Sequence, residues 1–507
     1  MAHERPLSTA SPERRRFARN AAAAYGERAV LMLSALLLTP YLFRGLGIGG
    51  FGTWSVMFTI VSVFSVLELG VSIGITTLVA DARARGQESE RAAIVAIGIG
   101  ALALVGMAGC VVAVGLGVAA DGLAAAAHRE DFRVGMAVLG VALLIRFPCI
   151  ACGAVLAGEQ RYDLVHACLA LTWVSFAAGA VFAVEAGGGV LGVAVAYATA
   201  LTAGACGFVF ALHRIDPRLS LRPRIGATAQ RRRLLGFSSY ALLADSMVFV
   251  GQRMDTVVVA AIRGAAAAAP IAAASRLQSG LQALSLPVVN LMLPMIAELW
   301  ARGEREVVVR RHALATRITL QLTLPIAAWV ALFSQDIVDV WLGPTAPEVT
   351  AAIVALLAAQ TLLLSATPAE KVLVGIGRVR VVGWLNSAEG LTNLVLSIVL
   401  VTQMGVLGAA LGSLISSVVL GPLKWPVACR ALGVSTTRFV QASVGSAVLS
   451  SLPALAAMAA VLAALPTGAV RAGVGLVVAV LGAGAVALAQ AGPRRVAEQA
   501  RRIGRRS

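Results

Sequence analysis

The chain has 507 residues, of which 59% are hydrophobic and only 13% charged, and its formal net charge is +17. Soluble domains carry about 25% charged residues, so this chain lacks the polar surface that a soluble protein of its length needs. Its apolar residues come in long blocks such as Ala92–Leu116 and Val440–Leu465, and about 20 such residues cross a bilayer as a helix. The composition excludes a soluble protein and predicts a membrane protein.

The positive charge is explained by its position along the chain. Lys and Arg concentrate on the cytoplasmic loops of membrane proteins. If the N-terminus lies in the cytoplasm, only five of the 42 Lys and Arg residues fall in the predicted outer loops. We therefore expect a multi-pass protein of the bacterial inner membrane with both termini in the cytoplasm, and we expect no nucleic-acid partner.

The apolar pattern predicts an all-α protein with about fourteen membrane spans. No loop between them is long enough for a soluble domain; the longest internal one is His213–Arg233. This organisation favours a transporter over an enzyme. In chain order the predicted spans are 22–43, 51–79, 92–118, 132–157, 164–185, 188–212, 234–262, 266–298, 314–333, 347–368, 381–402, 405–428, 440–465 and 471–491.

Short sequence matches recur at offsets between 216 and 219 residues, which predicts an internal repeat. One match pairs LAGEQR, ending at Arg161, with LVGIGR, ending at Arg378. The others pair Arg14–Arg16 with Arg231–Arg233, Arg44–Gly45 with Arg263–Gly264, Ala84–Gly86 with Ala301–Gly303, and Gly189–Ala194 with Gly405–Ala410. Both halves begin in the cytoplasm, so the repeats are parallel, and transporters of this kind bind substrate between their halves.

The repeat predicts two six-helix lobes around a central cavity, followed by two additional helices. The predicted divisions are a basic cytoplasmic tail (1–21), an N-terminal lobe (22–212), a basic cytoplasmic linker (213–233), a C-terminal lobe (234–428), the two additional helices (440–491) and a second basic tail (492–507).

Four sequence stretches resemble a known family in their order and spacing. LFRGLGIGGFGTWSVMFTIVSVFSVLELGVSIGI resembles the first two spans of polysaccharide flippases, and QRMDTVVVAAIRG followed by PIAAASRLQ resembles the seventh and eighth. VDVWLGPTAPEV resembles the loop before the tenth span, and LTNLVLSIVLVTQMGVLGAALGSLIS resembles the eleventh and twelfth. The resemblance covers roughly Arg14–Arg430. This family belongs to the superfamily that also holds multidrug exporters and the lipid II flippase.

The resemblance implies a flippase that moves undecaprenyl-diphosphate-linked oligosaccharides outward by alternating access, for surface or exopolysaccharide synthesis. It implies membrane lipids as surroundings, H⁺ or Na⁺ as a coupling ion, and contact with glycan polymerase machinery. Two alternatives stay open: a multidrug or small-solute exporter of the same fold, and a membrane-embedded glycan polymerase or ligase. The polymerase would need a long outer loop, which the predicted topology lacks.

Charged residues within the predicted spans are the candidate site residues. A charge at mid-membrane costs about 2.5–3.5 kcal/mol, so such residues usually face a cavity or a partner. Arginine offers phosphate a fork of donors, and we assign Arg28, Arg146, Arg253 and Arg276 to the substrate cavity, with interhelical ion pairs as the alternative. The acidic residues are expected either to couple an ion or to form structural ion pairs; they are Glu27, Glu68, Asp245 and Asp255.

The six cysteines lie in or beside apolar blocks, where buried Cys behaves as a small hydrophobe. Cys149 and Cys152 form a C-x-x-C motif, but no second ligand pair accompanies it. We therefore expect these residues to pack in the protein, and we expect neither a metal nor a cofactor.

Reporter fusions test the predicted topology. Fusions at Gln87, Gly226, Gly303 and Gly433 should report the cytoplasm, because the basic loops lie there. A fusion at Ala346 should report the periplasm. A cytoplasmic signal at Ala346 would contradict the two-repeat organisation.

Overall fold

The computed structural model describes residues 12–119, 121–219, 253–290, 292–343 and 347–490. All regular structure within these ranges is helical, as expected of chains whose backbone must satisfy its own hydrogen bonds in a bilayer. The helices are α1 (Pro12–Ala84), α2 (Glu88–Ala119), α3 (Arg129–Gly158), α4 (Tyr162–Glu185), α5 (Gly189–Ile215), α6 (Asp255–Arg263), α7 (Ala265–Asn290), α8 (Met292–Ala301), α9 (Arg305–Leu332), α10 (Ser334–Trp341), α11 (Pro347–Gly375), α12 (Val379–Leu420), α13 (Lys424–Leu432), α14 (Thr436–Val440), α15 (Ser446–Ala464) and α16 (Ala469–Gln490).

Two of the helices each contain a sharp break at one glycine. The 73 residues of α1 would reach about 110 Å as one straight helix, far beyond a hydrocarbon core about 30 Å thick. The helix breaks at Gly47, where φ is 68° and ψ 172°, and α12 breaks at Gly405, where φ is 60° and ψ −133°. Glycine adopts such angles without a steric penalty. Each of these helices therefore carries two of the predicted spans.

Backbone conformation recurs along the chain at the predicted repeat distance. Eight of the twelve described residues with positive φ form four matched pairs: Gly47 and Gly264 (68° and 87°), Gly86 and Gly303 (67° and 77°), Gln160 and Gly377 (61° and 83°), and Gly189 and Gly405 (56° and 60°). Sequence letters aligned Gly45 with Gly264, but the backbone matches Gly47 to Gly264 instead. Gly45 has a packing role, since a Cβ atom there would lie 2.6 Å from Cγ1 of Val184.

Nine helical segments of the described chain are long and apolar enough to cross a membrane. By length and composition, these segments make this a multi-pass membrane protein. The count of fourteen spans stays a prediction, because most of span 234–262 lies outside the described residues. The nine segments are Ala22–Phe64, Glu88–Ala119, Ala126–Gly158, Tyr162–Glu185, Gly189–Ile215, Arg305–Leu332, Val349–Gly375, Val379–Leu432 and Thr436–Ala464.

The chain divides into two compact units. The first takes its described residues from Met1–Gly45, Ile60–Asp121 and Arg129–Leu242. The second takes them from Leu46–Thr59, Gly122–His128 and Leu243–Ser507. The short segment Leu46–Thr59, which begins the second predicted span, thus packs with residues of the C-terminal half.

In the first unit, α3 is the central helix and packs against both α2 and α5. Small residues let α2 and α3 approach closely: a Cβ atom on Gly106 would lie 3.0 Å from the carbonyl oxygen of Leu143, and one on Gly140 3.2 Å from that of Cys110. Such seams are typical of helices in membranes, where packing replaces the hydrophobic effect between helices. Phe147, fully buried on α3, continues this core next to Arg146.

In the second unit, α11 packs against α7, α9 and α12, while α15 and α16 pack on α9. The two additional helices are anchored at α16. Trp329 donates a hydrogen bond from Nε1 to the carbonyl oxygen of Ala472 at 2.8 Å, and Arg471 binds both carboxylate oxygens of Asp336 at 2.7 and 2.9 Å. These contacts tie α16 to the C-terminal end of α9 and to α10.

Gly52 is a testable close approach within the second unit. A Cβ atom at this position would overlap the carbonyl oxygen of Ala265, and backbone cannot move aside as a flexible side chain can. We expect Gly52→Ala to destabilise the purified protein by about 1–3 kcal/mol, the usual cost of overpacking. Thermal unfolding in detergent measures this. Gly115→Ala is the matched control, because nothing lies within 4 Å of a Cβ atom there; equal midpoints for the two variants would contradict the packing.

Candidate functional site

Arg146 and Glu68 form an ion pair in the first unit. Arg146 lies at the middle of α3, and Glu68 lies on α1 beyond the Gly47 break. Nη1 of Arg146 is 3.2 Å from Oε2 of Glu68, and each side chain is only 15% exposed. From sequence these two residues are predicted to have different roles, substrate contact for Arg146 and ion coupling or structural pairing for Glu68, and the fold brings them together.

The pairing has a direct electrostatic consequence. Breaking a buried ion pair by removing one partner leaves an uncompensated charge and costs about 3–5 kcal/mol. The guanidinium keeps further donors that an anion could bind. The pair can therefore respond to an incoming anion by exchanging the partner of the arginine.

Glu27 and Arg28 lie at the start of the first predicted span. Glu27 is 6% exposed, and its Oε2 lies 3.6 Å from Nδ1 of His166 on α4 and 3.8 Å from Nε of Arg28. Arg28 is 56% exposed. The sequence analysis missed His166, because an apparently isolated histidine carries no pattern until α4 lies beside α1.

Asp255 is the centre of a buried polar group in the second unit, which we call the Asp255 cluster (Asp255, Asn393, Ser397 and Ser413). Ser397 donates a hydrogen bond to Oδ1 of Asp255 at 2.8 Å, and Ser413 donates one to Oδ2 at 2.7 Å. Oδ1 of Asn393 lies 3.0 Å from the Ser397 hydroxyl and 3.2 Å from that of Ser413. The two serine hydroxyls thus lie between an amide oxygen and the carboxylate.

The break at Gly405 assembles the Asp255 cluster. It folds α12 back on itself, so that Ser397 and Ser413, one on each side of the break, both reach Asp255 at the start of α6. The two halves of α12 pack tightly, since a Cβ atom on Gly412 would lie 2.8 Å from the backbone nitrogen of Ser397. Asn393 and Ser397 carry no charge, and only their place in an apolar span could have drawn attention to them.

The chemistry of the Asp255 cluster suits a small hard cation or a proton. Asp255 is 5% exposed, and a buried carboxylate needs a compensating positive charge. Carboxylate, amide and hydroxyl oxygens are the ligands that hard cations take. Within the described ranges, no group of three His, Cys, Asp or Glu residues could hold a metal ion, and Cys149 and Cys152 are free thiols.

Arg276 lies on α7 in the second unit. Its guanidinium carbon is 4.3 Å from the centre of the Phe58 ring, which is a cation–π contact. The Phe58 ring thus packs against one face of the Arg276 guanidinium. Arg253 lies two residues before Asp255 and is partly buried, whereas Asp245 lies outside the described residues.

Comparisons with known proteins give a family and a fold. The model of a family described as "Polysaccharide biosynthesis protein" matches residues 42–345, more than half of the chain. No curated protein matches.

Several solved structures share the fold. The lipid II flippase MurJ, in an inward closed conformation, aligns with a TM-score of 0.73 at 12% identity, over 92% of this chain and 97% of that one. An inward-facing multidrug resistance transporter of the MATE family aligns at 0.66 and 14% identity, over 79% and 94%. A MOP superfamily transporter from Pyrococcus furiosus aligns at 0.56 and 13% identity, over 82% and 95%. The predicted flippase and transporter fold is confirmed.

Ser413→Ala tests the hydrogen bonds of the Asp255 cluster. It leaves one buried carboxylate oxygen without its donor, and a hydrogen bond to a charged group contributes about 1.5–3 kcal/mol. We expect a loss of unfolding free energy in that range, measured by denaturation in detergent. Ser416→Ala is the matched control, because this buried serine bonds only the carbonyl oxygen of Ser413. Equal losses would show that the carboxylate does not depend on the Ser413 hydroxyl.

Proposed function

Since the chain belongs to the polysaccharide biosynthesis protein family, we propose that it is a flippase for undecaprenyl-diphosphate-linked oligosaccharides. It carries these units from the cytoplasmic to the periplasmic leaflet of the bacterial inner membrane by alternating access. Both termini lie in the cytoplasm in this proposal, as the distribution of Lys and Arg favours. The completed units would then pass to the machinery that polymerises the glycan.

The single observation that carries the proposal is the ion pair of Arg146 with Glu68. A lipid diphosphate that crosses the bilayer loses its water shell and needs fixed donors along the path. Arg146 supplies a permanent charge and a planar fork that fits phosphate oxygens. In the absence of substrate, Glu68 compensates that charge, so the empty carrier does not bury an unpaired arginine.

Binding and ion coupling follow from the same pair. When a phosphate binds Arg146, Glu68 loses its partner. It is then an unpaired buried carboxylate, and binding a proton removes its charge. Likewise, a proton bound to Glu68 leaves Arg146 without its partner. Substrate binding and proton uptake therefore favour each other. The Asp255 cluster is a second place where a proton or Na⁺ could bind, in the other half of the chain.

An exporter of organic cations is the alternative that the shared fold with the MATE transporter favours. A cationic substrate would be attracted to Glu68 and repelled by Arg146. Export of cationic dyes that survives Arg146→Ala and fails in Glu68→Gln would support this alternative.

Substitutions at Arg146 test the proposed substrate contact. Arg146→Ala should accumulate lipid-linked glycan on the cytoplasmic leaflet, and Arg146→Lys should transport slowly, because lysine keeps the charge but loses the fork. The measurement is the leaflet distribution of the lipid-linked glycan, read together with the amount of protein in the membrane. Arg133→Ala is the control, since this arginine on the same helix is 59% exposed.

The double variant Arg146→Ala with Glu68→Gln separates substrate binding from folding. It removes both charges and leaves no unpaired carboxylate, so the protein should reach normal membrane levels. We expect transport to stay absent. Restored transport in the double variant would show that Arg146 serves only to pair with Glu68.

A further inference from the structure

A second buried charge cluster lies in the second unit, away from the Asp255 cluster along α12. Nζ of Lys424, the first residue of α13, lies 2.6 Å from Oε1 of Glu370 on α11 and 2.8 Å from Oε2 of Glu389 on α12. The Lys424 side chain is 3% exposed and that of Glu389 11%. We call these three residues, together with Asn386, the Lys424 cluster.

The charges of the Lys424 cluster do not balance. Two carboxylates and one ammonium leave a net charge of −1 if every group has its usual ionisation. Lys424 is already shared between both carboxylates, so it cannot fully compensate either. A buried net charge is costly, and a further positive charge is required for the cluster to be stable.

Two orphaned oxygen atoms indicate where that charge belongs. Oε1 of Glu389 and Oδ1 of Asn386 are both buried, and neither has a hydrogen-bond donor among the described residues. The two residues are three apart on α12, so their side chains are neighbours on one face of the helix. Two acceptors repel each other, and a buried acceptor without a donor costs about 1–3 kcal/mol. A proton on Oε1 of Glu389 would neutralise this carboxylate and turn it into a donor for an acceptor such as Oδ1 of Asn386.

Other charged groups near α12 do not supply the missing charge within the described residues. The titratable and charged groups on the helices packed against α12 are Glu348, Glu370 and Lys371 on α11, Lys424, Cys429 and the exposed Arg430 on α13, Asp255 and Arg263 on α6, and Arg276 on α7. Lys371 is partly exposed beside Glu370, Arg263 binds the carbonyl oxygens of Val401 and Thr402, and Arg276 lies over Phe58. Asp255, on α6, lies beside Ser397 and Ser413 of α12. Its carboxyl group adds no positive charge and disfavours a second negative charge at Glu389.

We propose that Glu389 is a proton-binding site. It holds the proton as a neutral carboxylic acid that donates from its hydroxyl to Oδ1 of Asn386, while Glu370 and Lys424 remain an ion pair. The ligand is H⁺ rather than a metal cation, because one proton both neutralises the cluster and provides the missing hydrogen bond. The site itself does not depend on the glycan substrate; only its use as a coupling site rests on the proposed function.

Infrared difference spectra of the purified full-length protein test the site directly. Protonated carboxyl groups have a C=O stretching band that is separate from carboxylate bands and shifts in D₂O. We expect the wild type to show one such band that Glu389→Gln lacks, at mildly acidic and neutral pH. Glutamine is neutral and keeps a donor toward Asn386, so this variant should fold. Glu130→Gln, at an exposed residue of α3, is the control and should leave the spectrum unchanged.

Two further variants keep the proposal testable if Glu389→Gln proves unstable. Asn386→Ala removes the acceptor, so the band of Glu389 should move to higher wavenumber, as a carboxylic acid does on losing its hydrogen bond. Glu370→Gln removes the excess negative charge, so Glu389 should release its proton at lower pH than in the wild type. Wild-type spectra without a band assignable to Glu389, or a band unmoved in both variants, would overturn the proposal.

Transport assays in proteoliposomes then separate the proton site from the substrate. Glu389→Gln should transport without the acceleration that a proton gradient gives the wild type. If the lipid-linked glycan is not moved by the wild type but the infrared band is present, the proposed substrate fails and the proton site stands. Stabilisation by NaCl that is lost in Glu389→Gln, without a protonated band, would overturn the proposal in favour of a cation site.

Discussion

A charge inside a membrane-spanning helix has to be compensated by the protein itself, and this constraint shapes the interior of the structure. Three groups of residues in the described spans show how buried charges are compensated. Arg146 and Glu68 compensate each other at 3.2 Å, and the Asp255 carboxylate accepts hydrogen bonds from two serine hydroxyls. The ammonium group of Lys424 contacts both Glu370 and Glu389. Only the first arrangement is neutral if every group has its usual ionisation, and each of the other two carries a net charge of −1.

The two uncompensated arrangements both involve α12, which suggests why this helix carries so many polar residues. Its break at Gly405 brings Ser397 and Ser413 to the same carboxylate, and its first half carries Asn386 and Glu389. Glu389 lies on α12, and Asp255 of α6 accepts hydrogen bonds from Ser397 and Ser413 of α12. A proton at Glu389 and a cation or proton at Asp255 would therefore both act on α12, and a shared element can couple binding at separate sites.

The repeat relates these sites to the way the chain is built. Positive φ angles recur at Gly47 and Gly264 and at Gly189 and Gly405, so the two halves turn at equivalent places. The charged residues are not repeated in the same way: Arg146 and Glu68 have counterparts at 363 and 285, which are leucine and serine. The two halves thus share a backbone conformation, but the N-terminal half carries the Arg146–Glu68 ion pair and the C-terminal half carries the acidic sites. In the proposed cycle, these are the substrate contact and the ion sites.

The sequence by itself determined the class of protein, its helical content and the repeat. An apolar block of about 20 residues is long enough to cross a bilayer as a helix, and the short sequence matches recur at offsets between 216 and 219 residues. It also identified Glu27, Glu68, Arg146 and Asp255, because a charge in an apolar span is conspicuous, but it missed Glu389 and Lys424, which are buried as well.

Only the tertiary structure decided which groups meet. Glu68 and Arg146 are 78 positions apart, and Lys424 lies outside the predicted cavity residues, so no local pattern connects either with its partner. Ser397 and Ser413 carry no charge, and the role of these residues and of His166 depends on the carboxylates that the fold places beside them. Pairing is a property of distance in space, and the local periodicity that identifies a span carries no information about it.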